Sequence, residues 1–360
     1  MKPRLLATAA LAGIALNASA QSNVTIYGVV DAGIVAERGG AAGSLSKVTS
    51  GVGSASRLGF RETEDLGGGL SALFVLESGL KVDTGESDVA GSIANRQALV
   101  GLNSKTLGML TLGRQKTTLY KALGEVGDPF GLGYAGSSKN LFPLAGPNTR
   151  TSNTVAYATP SYQGLSGEVT YAMGEQAGSQ SAGRQYGGAL SYSNGDLNAR
   201  LVYNNRNSDN VQPGVPAVKH DLGHNVLLVA NYDFHVIKAF FAYGVDKGYN
   251  SAVLPVANAY GYPVAPKATT NSADLLLGAT VPVGARGTIM TSYIHKNDKQ
   301  WGQDASQFGV GYSYAWSKRT STYVAYARIH NENGAGYTVG NDTEAGSGNS
   351  AFNLGVRHAF

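Results

Sequence analysis

The 360-residue chain contains no cysteine. That removes disulfide frames, thiolate metal sites and cysteine nucleophiles together. Charge is scarce too: Asp, Glu, Lys and Arg make up 14% of the residues, against roughly 25% in an ordinary soluble domain. After residue 20 no apolar run reaches the roughly 20 residues that a membrane-crossing helix needs. The chain is not greasy either, with a mean hydropathy of -0.12. What it holds in quantity is glycine, 49 residues, and tyrosine, 20 residues. Few charges, many tyrosines and near-neutral hydropathy suit a wall with one apolar and one polar face. The formal net charge of +4 is small and spread along the chain, which argues against a nucleic-acid partner.

Lys2 and Arg4 precede an apolar run over residues 5–16, and Ala18-Ser19-Ala20 has the small-x-small form of a cleavage site. This is the pattern of a cleaved secretory signal peptide over residues 1–20. Its removal leaves 26 Lys and Arg against 24 Asp and Glu. The mature chain is expected to be one domain over residues 21–360.

Period-two alternation, the mark of a strand with two different faces, runs through that domain. Phe308, Val310, Tyr312, Tyr314 and Trp316 alternate with Gln307, Gly309, Gly311, Ser313 and Ala315. Leu197, Ala199, Leu201 and Tyr203 alternate with Asn198, Arg200, Val202 and Asn204. A soluble sandwich also alternates, but here aromatics cap the apolar faces and the turns alternate in length. Leu66-Gly67-Gly68-Gly69, Ser193-Asn194-Gly195-Asp196 and Val283-Gly284-Ala285 are short; residues 37–54, 205–223, 247–271 and 331–349 read as long loops. Short turns on one rim and long loops on the other belong to a transmembrane antiparallel β-barrel. Lipid offers the backbone no hydrogen-bond partners, so such a sheet must close on itself.

The pattern predicts about sixteen strands, at 23–34, 55–64, 70–80, 94–102, 109–115, 151–159, 165–174, 185–193, 196–205, 224–234, 235–246, 272–282, 286–296, 304–316, 319–330 and 350–360. The faces of 272–282 stay unassigned, because Leu275 and Leu277 oppose Leu276 in parity. Residues 117–148 break the pattern. Their density of glycine and proline, from Gly124 to Pro147, excludes helix and strand and predicts a long functional loop that folds into the lumen. The last strand alternates Phe352, Leu354, Val356, His358 and Phe360 with Asn353, Gly355, Arg357 and Ala359. A terminal aromatic on such a strand is the signal that barrel-assembly machinery reads.

Several segments then resemble one family. They are Val24-Thr25-Ile26-Tyr27-Gly28-Val29-Val30-Asp31, Ser56-Arg57-Leu58-Gly59-Phe60-Arg61, Glu64-Asp65-Leu66-Gly67-Gly68-Gly69-Leu70 and Leu76-Glu77-Ser78-Gly79. Asn95-Arg96-Gln97-Ala98, Val100-Gly101-Leu102, Leu112-Gly113-Arg114-Gln115, Ser317-Lys318-Arg319-Thr320 and Gly355-Val356-Arg357-His358-Ala359-Phe360 continue the series. In this order they resemble the trimeric, sixteen-stranded general porins of Gram-negative outer membranes. The resemblance implies passive diffusion of small hydrophilic solutes and ions, a homotrimer and a third loop folded inward as the constriction. It implies no cofactor and no catalytic residue.

A diffusion pore needs polar walls and opposed charges at its narrowest point. Arg57, Arg61, Arg96, Arg114 and Arg150 are the candidates for the basic side. Arg57 and Arg61 lie opposite in parity to Leu58 and Phe60, toward the lumen. Arg114 shares the parity of Leu110 and Leu112, so it needs a bulge to turn inward. Glu125 and Asp128 are the carboxylates of the inward loop and the candidates for the acidic side. Asp31 and Glu77 are further lumen acids. Five arginines against two loop acids predict a modest anion preference.

Gly131-Leu132-Gly133-Tyr134-Ala135-Gly136 fits a dinucleotide glycine pattern but follows no parallel strand and opens no helix. His220, Asp221 and His224 have loose metal-like spacing in a loop, which does not by itself make a site. Asp83, Glu86 and Asp88, within residues 81–91, form an acidic loop suited to divalent-cation bridges with lipopolysaccharide or to contact with a neighbouring subunit. The six histidines are scattered, with no nucleophile constellation, which argues against a barrel enzyme.

Overall fold

The computed structural model describes residues 24–41, 43–214, 216–249 and 269–360. The expected signal peptide and most of the expected loop 247–271 lie outside the described residues. The first strands are β1 (Thr25–Gly40), β2 (Gly43–Ser50), β3 (Arg57–Gly67), β4 (Leu70–Lys81), the two-residue β5 (Glu86–Ser87), β6 (Gln97–Ser104) and β7 (Gly108–Lys116). After a long inner segment come β8 (Arg150–Ala158), β9 (Leu165–Ala172), β10 (Gln185–Asn194), β11 (Leu197–Arg206), β12 (Gly223–Asp233) and β13 (Lys238–Lys247). The last are β14 (Asn271–Val283), β15 (Gly287–Asp298), β16 (Ala305–Ala315), β17 (Thr320–Asn331) and β18 (Ser350–Ala359).

Every strand of the wall pairs antiparallel with its neighbours, and β18 closes on β1 from Val29↔Ala359 to Arg38↔Ser350. The eighteen strands fill sixteen wall positions. Among the described residues β5 pairs only with the end of β4. β2 and β3 share one position, because β1 pairs with β3 along its first residues and with β2 further on. Residues 37–54 are therefore not the plain loop that the turn pattern predicts: β1 runs on to Gly40 and β2 returns beside it. The short turns fall as expected. At Gly67, Gly68 and Gly69 all three φ angles are positive, at 83°, 60° and 80°, and only glycine takes that run without strain.

Alternation sorts the faces. On β12, Val226 and Leu228 are 42% and 44% exposed, while Asn225, Leu227 and Val229, which alternate with them, are buried. In a chain that spans a membrane the exposed apolar face meets lipid. The buried face meets something less usual, a hydrophobic core inside the barrel. Leu123, Val126, Leu132, Leu141 and Phe142 of the inner segment pack with Val202, Leu227, Val229, Leu276 and Ile294 of the wall. This explains the strand whose faces the pattern leaves open. Leu276 points inward onto the inner segment and is fully buried, whereas Leu277 is 49% exposed on the outer face.

Candidate functional site

The inner segment between β7 and β8 is more ordered than its glycine and proline content predicts. Thr117 caps a short helix, α1 (Thr118–Ala122), by accepting the Tyr120 N–H at 3.1 Å; a π turn (Leu123–Gly127) follows directly. From there the segment crosses to the far wall. Asn231 Nδ2 on β12 donates to the Val126 carbonyl at 2.8 Å. Ser292 Oγ on β15 and Gln307 Nε2 on β16 both donate to the Gly136 carbonyl, at 3.0 and 3.1 Å. The donor side chains are buried and inward-facing, so these bonds tie the segment to the inner face of the wall.

Asp128 holds the crossing together, and its place corrects the expectation that it lines the acidic side. It is 4% exposed. Its carboxylate accepts from the N–H groups of Phe130, Leu132 and Ser138 and from the Ser138 hydroxyl. It is turned into the loop, because this backbone reversal leaves amides with no other partner. Glu125 does face the passage, but Arg200 Nη1 on β11 lies 2.7 Å from it.

On the opposite side, Arg57, Arg96, Lys116 and Lys121 share a narrow cavity of about 140 Å³ with Tyr120, Glu125 and Asp342. Arg57 Nη1 donates to the Ala55 carbonyl at 2.9 Å and to Ser54 Oγ at 3.2 Å. Arg96 precedes the regular part of β6 and reaches the lumen from the bend before it, so strand parity does not govern it. Its Nε donates to Glu77 Oε1 at 2.8 Å. Glu77 also lies 3.7 Å from Arg57 Nε and accepts from the Tyr27 hydroxyl at 3.0 Å. The Arg150 guanidinium stacks over Tyr120 at 5.0 Å, and Lys116, its cross-strand partner, lies 5.8 Å from the same ring.

Two of the five arginines stand apart. Arg61 lies four residues along β3 from Arg57, nearer the short turns, over the Tyr27 ring at 5.1 Å. The register between β7 and β8 shifts between Gly113 and Gln115, as a bulge would. Arg114 there is held by the Asn95 carbonyl and the Ser152 hydroxyl. With Arg96, Arg150 and Lys139 it lines a wider recess of about 470 Å³. Asp31 faces inward yet is fully buried: it accepts from Tyr323 OH at 2.7 Å and from the N–H groups of Gly53 and Ser54. Segment 51–56 covers it, so it is sealed from the passage.

Residues 331–349, read from the turn pattern as a long loop, fold back onto the inner segment. Tyr337 and Val339 are buried, and the Gly340 N–H donates to Asn140 Oδ1 at 3.0 Å. Asp342 accepts from the Ala55 N–H at 2.6 Å and pairs with Lys139 at 3.2 Å. Burial raises the Asp342 carboxyl, but Lys139, the Ala55 N–H and Arg96 outweigh it and hold the group below the usual carboxylate range. Sequence reasoning missed Asp342, Lys116, Lys121 and Arg200. Lys116 had a positional signal, since it and Arg150 flank the two stems of the inward loop; Asp342 had none.

Phe360 closes the wall. Its carbonyl accepts from the Gly28 N–H at 3.0 Å and its N–H donates back at 3.1 Å. The residue is 44% exposed.

Comparison with known proteins agrees with this architecture. A family model described as Gram-negative porin matches residues 7–357. An outer membrane porin protein of Bordetella pertussis is 34% identical, and outer membrane porin protein 32 of Delftia acidovorans is 32% identical, with all of both chains covered in each case. The solved anion-selective porin from Comamonas acidovorans is 29% identical with a TM-score of 0.78, covering 94% of this chain and all of its own. Sequence, closed barrel and inward loop agree, and the chain belongs to the Gram-negative porins, the channel-forming barrels of the outer membrane.

Proposed function

We propose that this pore favours anions, and that the cluster of Arg57, Arg96, Lys116 and Arg150 around Tyr120 sets the preference. The observation that carries this is the imbalance of charge in and around the narrow passage. Arg57, Arg96 and Lys116 line the cavity beside Lys121, which pairs with Glu168, and Arg150 joins them over Tyr120. Of the cavity's own carboxylates, Glu125 is paired with Arg200 and Asp342 with Lys139, so Glu77 alone among the cited pairs offsets the cluster. A net excess of cations in a confined aqueous passage raises the local anion concentration. A solved relative described as anion-selective supports the same sign. Arg61 and Arg114 then tune the approaches, while Glu77 tempers and orders the cluster.

The same reading makes the mature chain a homotrimer, freed of residues 1–20 and assembled through its C-terminal Phe360. Lipid and lipopolysaccharide surround the outer wall. The test is the reversal potential of the refolded protein in a planar bilayer under a potassium chloride gradient. Chloride permeating faster, in conductance steps grouped by three, is the expected result. Potassium permeating faster would sink the basic-cluster reading. Saturable block by a single solute would replace unselective diffusion with a substrate-selective channel.

A further inference from the structure

On the outer face of the wall, one row of side chains departs from the apolar pattern. Tyr171, Tyr186, Asn205, His224 and Lys247 are successive cross-strand partners over β9 to β13, near the long-loop ends of those strands. Their alternates Asn204, Asn225 and Asp246 are buried toward the lumen, which turns the row outward; Asn205 is itself buried, its amide against His224. Below it the outer face is apolar: Val169, Leu190, Leu201, Val226 and Leu228 are 42–58% exposed.

The row is built as one surface. The Tyr186 and Tyr203 rings lie 6.3 Å apart, and Tyr203 and His224 lie 6.2 Å apart. The Tyr203 hydroxyl and the Asn205 amide both approach His224 Nδ1 at 3.0 Å, so Nε2 is the ring edge left to meet a ligand. The Arg184 guanidinium sits 5.8 Å from the Tyr186 ring, and its Nε is buried with no acceptor. Among the described residues no carboxylate lies within ion-pair distance of Arg184 or Lys247.

Unmatched cations on the edge of a lipid-facing apolar band call for an anion that arrives with the lipid. Tyrosines at that depth suit a surface that is apolar on one side and wet on the other. We propose that the strip of Arg184, Tyr203, His224 and Lys247 is a docking site for the phosphorylated sugar headgroup of lipopolysaccharide. This rests on the outer-membrane porin reading and names the lipid partner of its outer wall. β10 and β13 are three strand spacings apart, roughly 14 Å, a span that suits a disaccharide phosphorylated at both ends. Arg184 and Lys247 take the two phosphates. Tyr203 and His224 lie under the sugar between them, with His224 Nε2 bonding to a hydroxyl or phosphate oxygen.

The test incubates folded porin in detergent with fluorescent rough lipopolysaccharide, repurifies it and counts lipid per chain. The same lipid after enzymatic dephosphorylation runs in parallel. Wild type retains the phosphorylated lipid, and Arg184→Gln/Lys247→Gln binds it at least about tenfold more weakly. Lys247→Gln alone gives an intermediate loss and covers a double variant that fails to fold. Equal retention by the variants, or of the dephosphorylated lipid, overturns the site. So does a variant that loses association between barrels yet keeps its lipid, which assigns the face to a second copy. Conductance is recorded on the same samples and stays unchanged in the variants, whose substituted residues face away from the lumen. A wild type that binds lipid but does not conduct would defeat the pore reading and leave this one standing.

Discussion

Lys139 Nζ and Asp342 Oδ1 lie 3.2 Å apart, a single ion pair between residues 203 positions apart in sequence. Lys139 belongs to the inward loop between β7 and β8, Asp342 to the loop between β17 and β18. Asp342 also accepts the Ala55 N–H, so one carboxylate fastens three segments of the inner surface. The inner segment is therefore held from two sides, by the wall beneath and by a second loop above.

This clasp predicts a pH response. The Asp342 carboxyl is held below its usual range in the folded protein, while in the unfolded chain it titrates near 3.9 as an ordinary carboxylate does. The folded state thus binds the proton less readily, and the stabilisation is fully present above about pH 4. It is lost as pH falls through the lower folded value. Asp342→Asn removes it at every pH, at a cost of ~2 kcal/mol for breaking a largely buried pair. Single-channel recordings check this: the variant is noisier than wild type at pH 7, and the two converge in strong acid. A difference that persists unchanged into strong acid would refute the clasp.

The basic cluster predicts selectivity changes of definite sign. At about 5 Å from a passing ion a unit charge in water is worth roughly 0.8 kcal/mol, a factor of about four. Arg57→Gln or Arg150→Gln lowers the chloride-to-potassium permeability ratio by about that factor, read from the reversal potential. Arg61→Gln changes it less, because Arg61 stands apart over Tyr27. A larger effect at Arg61 than at Arg57 would move the constriction toward the short turns.

Glu77 works in the opposite sense. Its carboxylate bonds to Arg96 and Tyr27 and faces Arg57, so it both neutralises and positions the cations. Glu77→Gln raises anion preference while adding open-channel noise, since Arg96 and Arg57 lose their shared anchor. Breaking this buried pair costs about 3 kcal/mol locally. A quieter channel with lower anion preference would contradict the assignment.

The wall was legible because lipid and water impose a strict period of two, and β16 and β18 follow it almost residue by residue. Legibility failed where the inner face does not meet water. Leu276 looked out of phase only because a loop from elsewhere in the chain covers it. Asp128 and Asp31 looked like pore carboxylates because a sequence shows charge without showing what surrounds it; both are spent on backbone N–H groups. Arg96 reached the lumen by preceding its strand, where parity has no force. Asp342 was invisible because its partners, Ala55 and Lys139, are remote in sequence.

Gly133 tests how tightly the inward loop is seated. The next residue, Tyr134, donates its N–H to the Val52 carbonyl at 2.7 Å and packs its ring edge-on to Tyr323 at 4.8 Å. The loop backbone thus passes directly against segment 51–56, and a Cβ on Gly133 would strike the Gly53 carbonyl and its neighbouring backbone atoms. Backbone cannot rotate aside as a side-chain tip can, so Gly133→Ala must lift the loop or displace segment 51–56, at a cost of about 1–3 kcal/mol. Gly53 and Ser54 hold Asp31, and Ser54 and Ala55 hold Arg57, so either movement reaches the basic cluster. The barrel wall is untouched, and the variant assembles and resists heat as wild type does. Its single-channel conductance shifts and its anion preference falls, because Arg57 loses its fixed place. Gly67→Ala is the matched control: it is strained by its positive φ, but its Cβ meets nothing within 4 Å, on the short-turn rim. Unchanged conductance in Gly133→Ala, with correct assembly, would mean that segment 51–56 yields freely and does not seat the constriction.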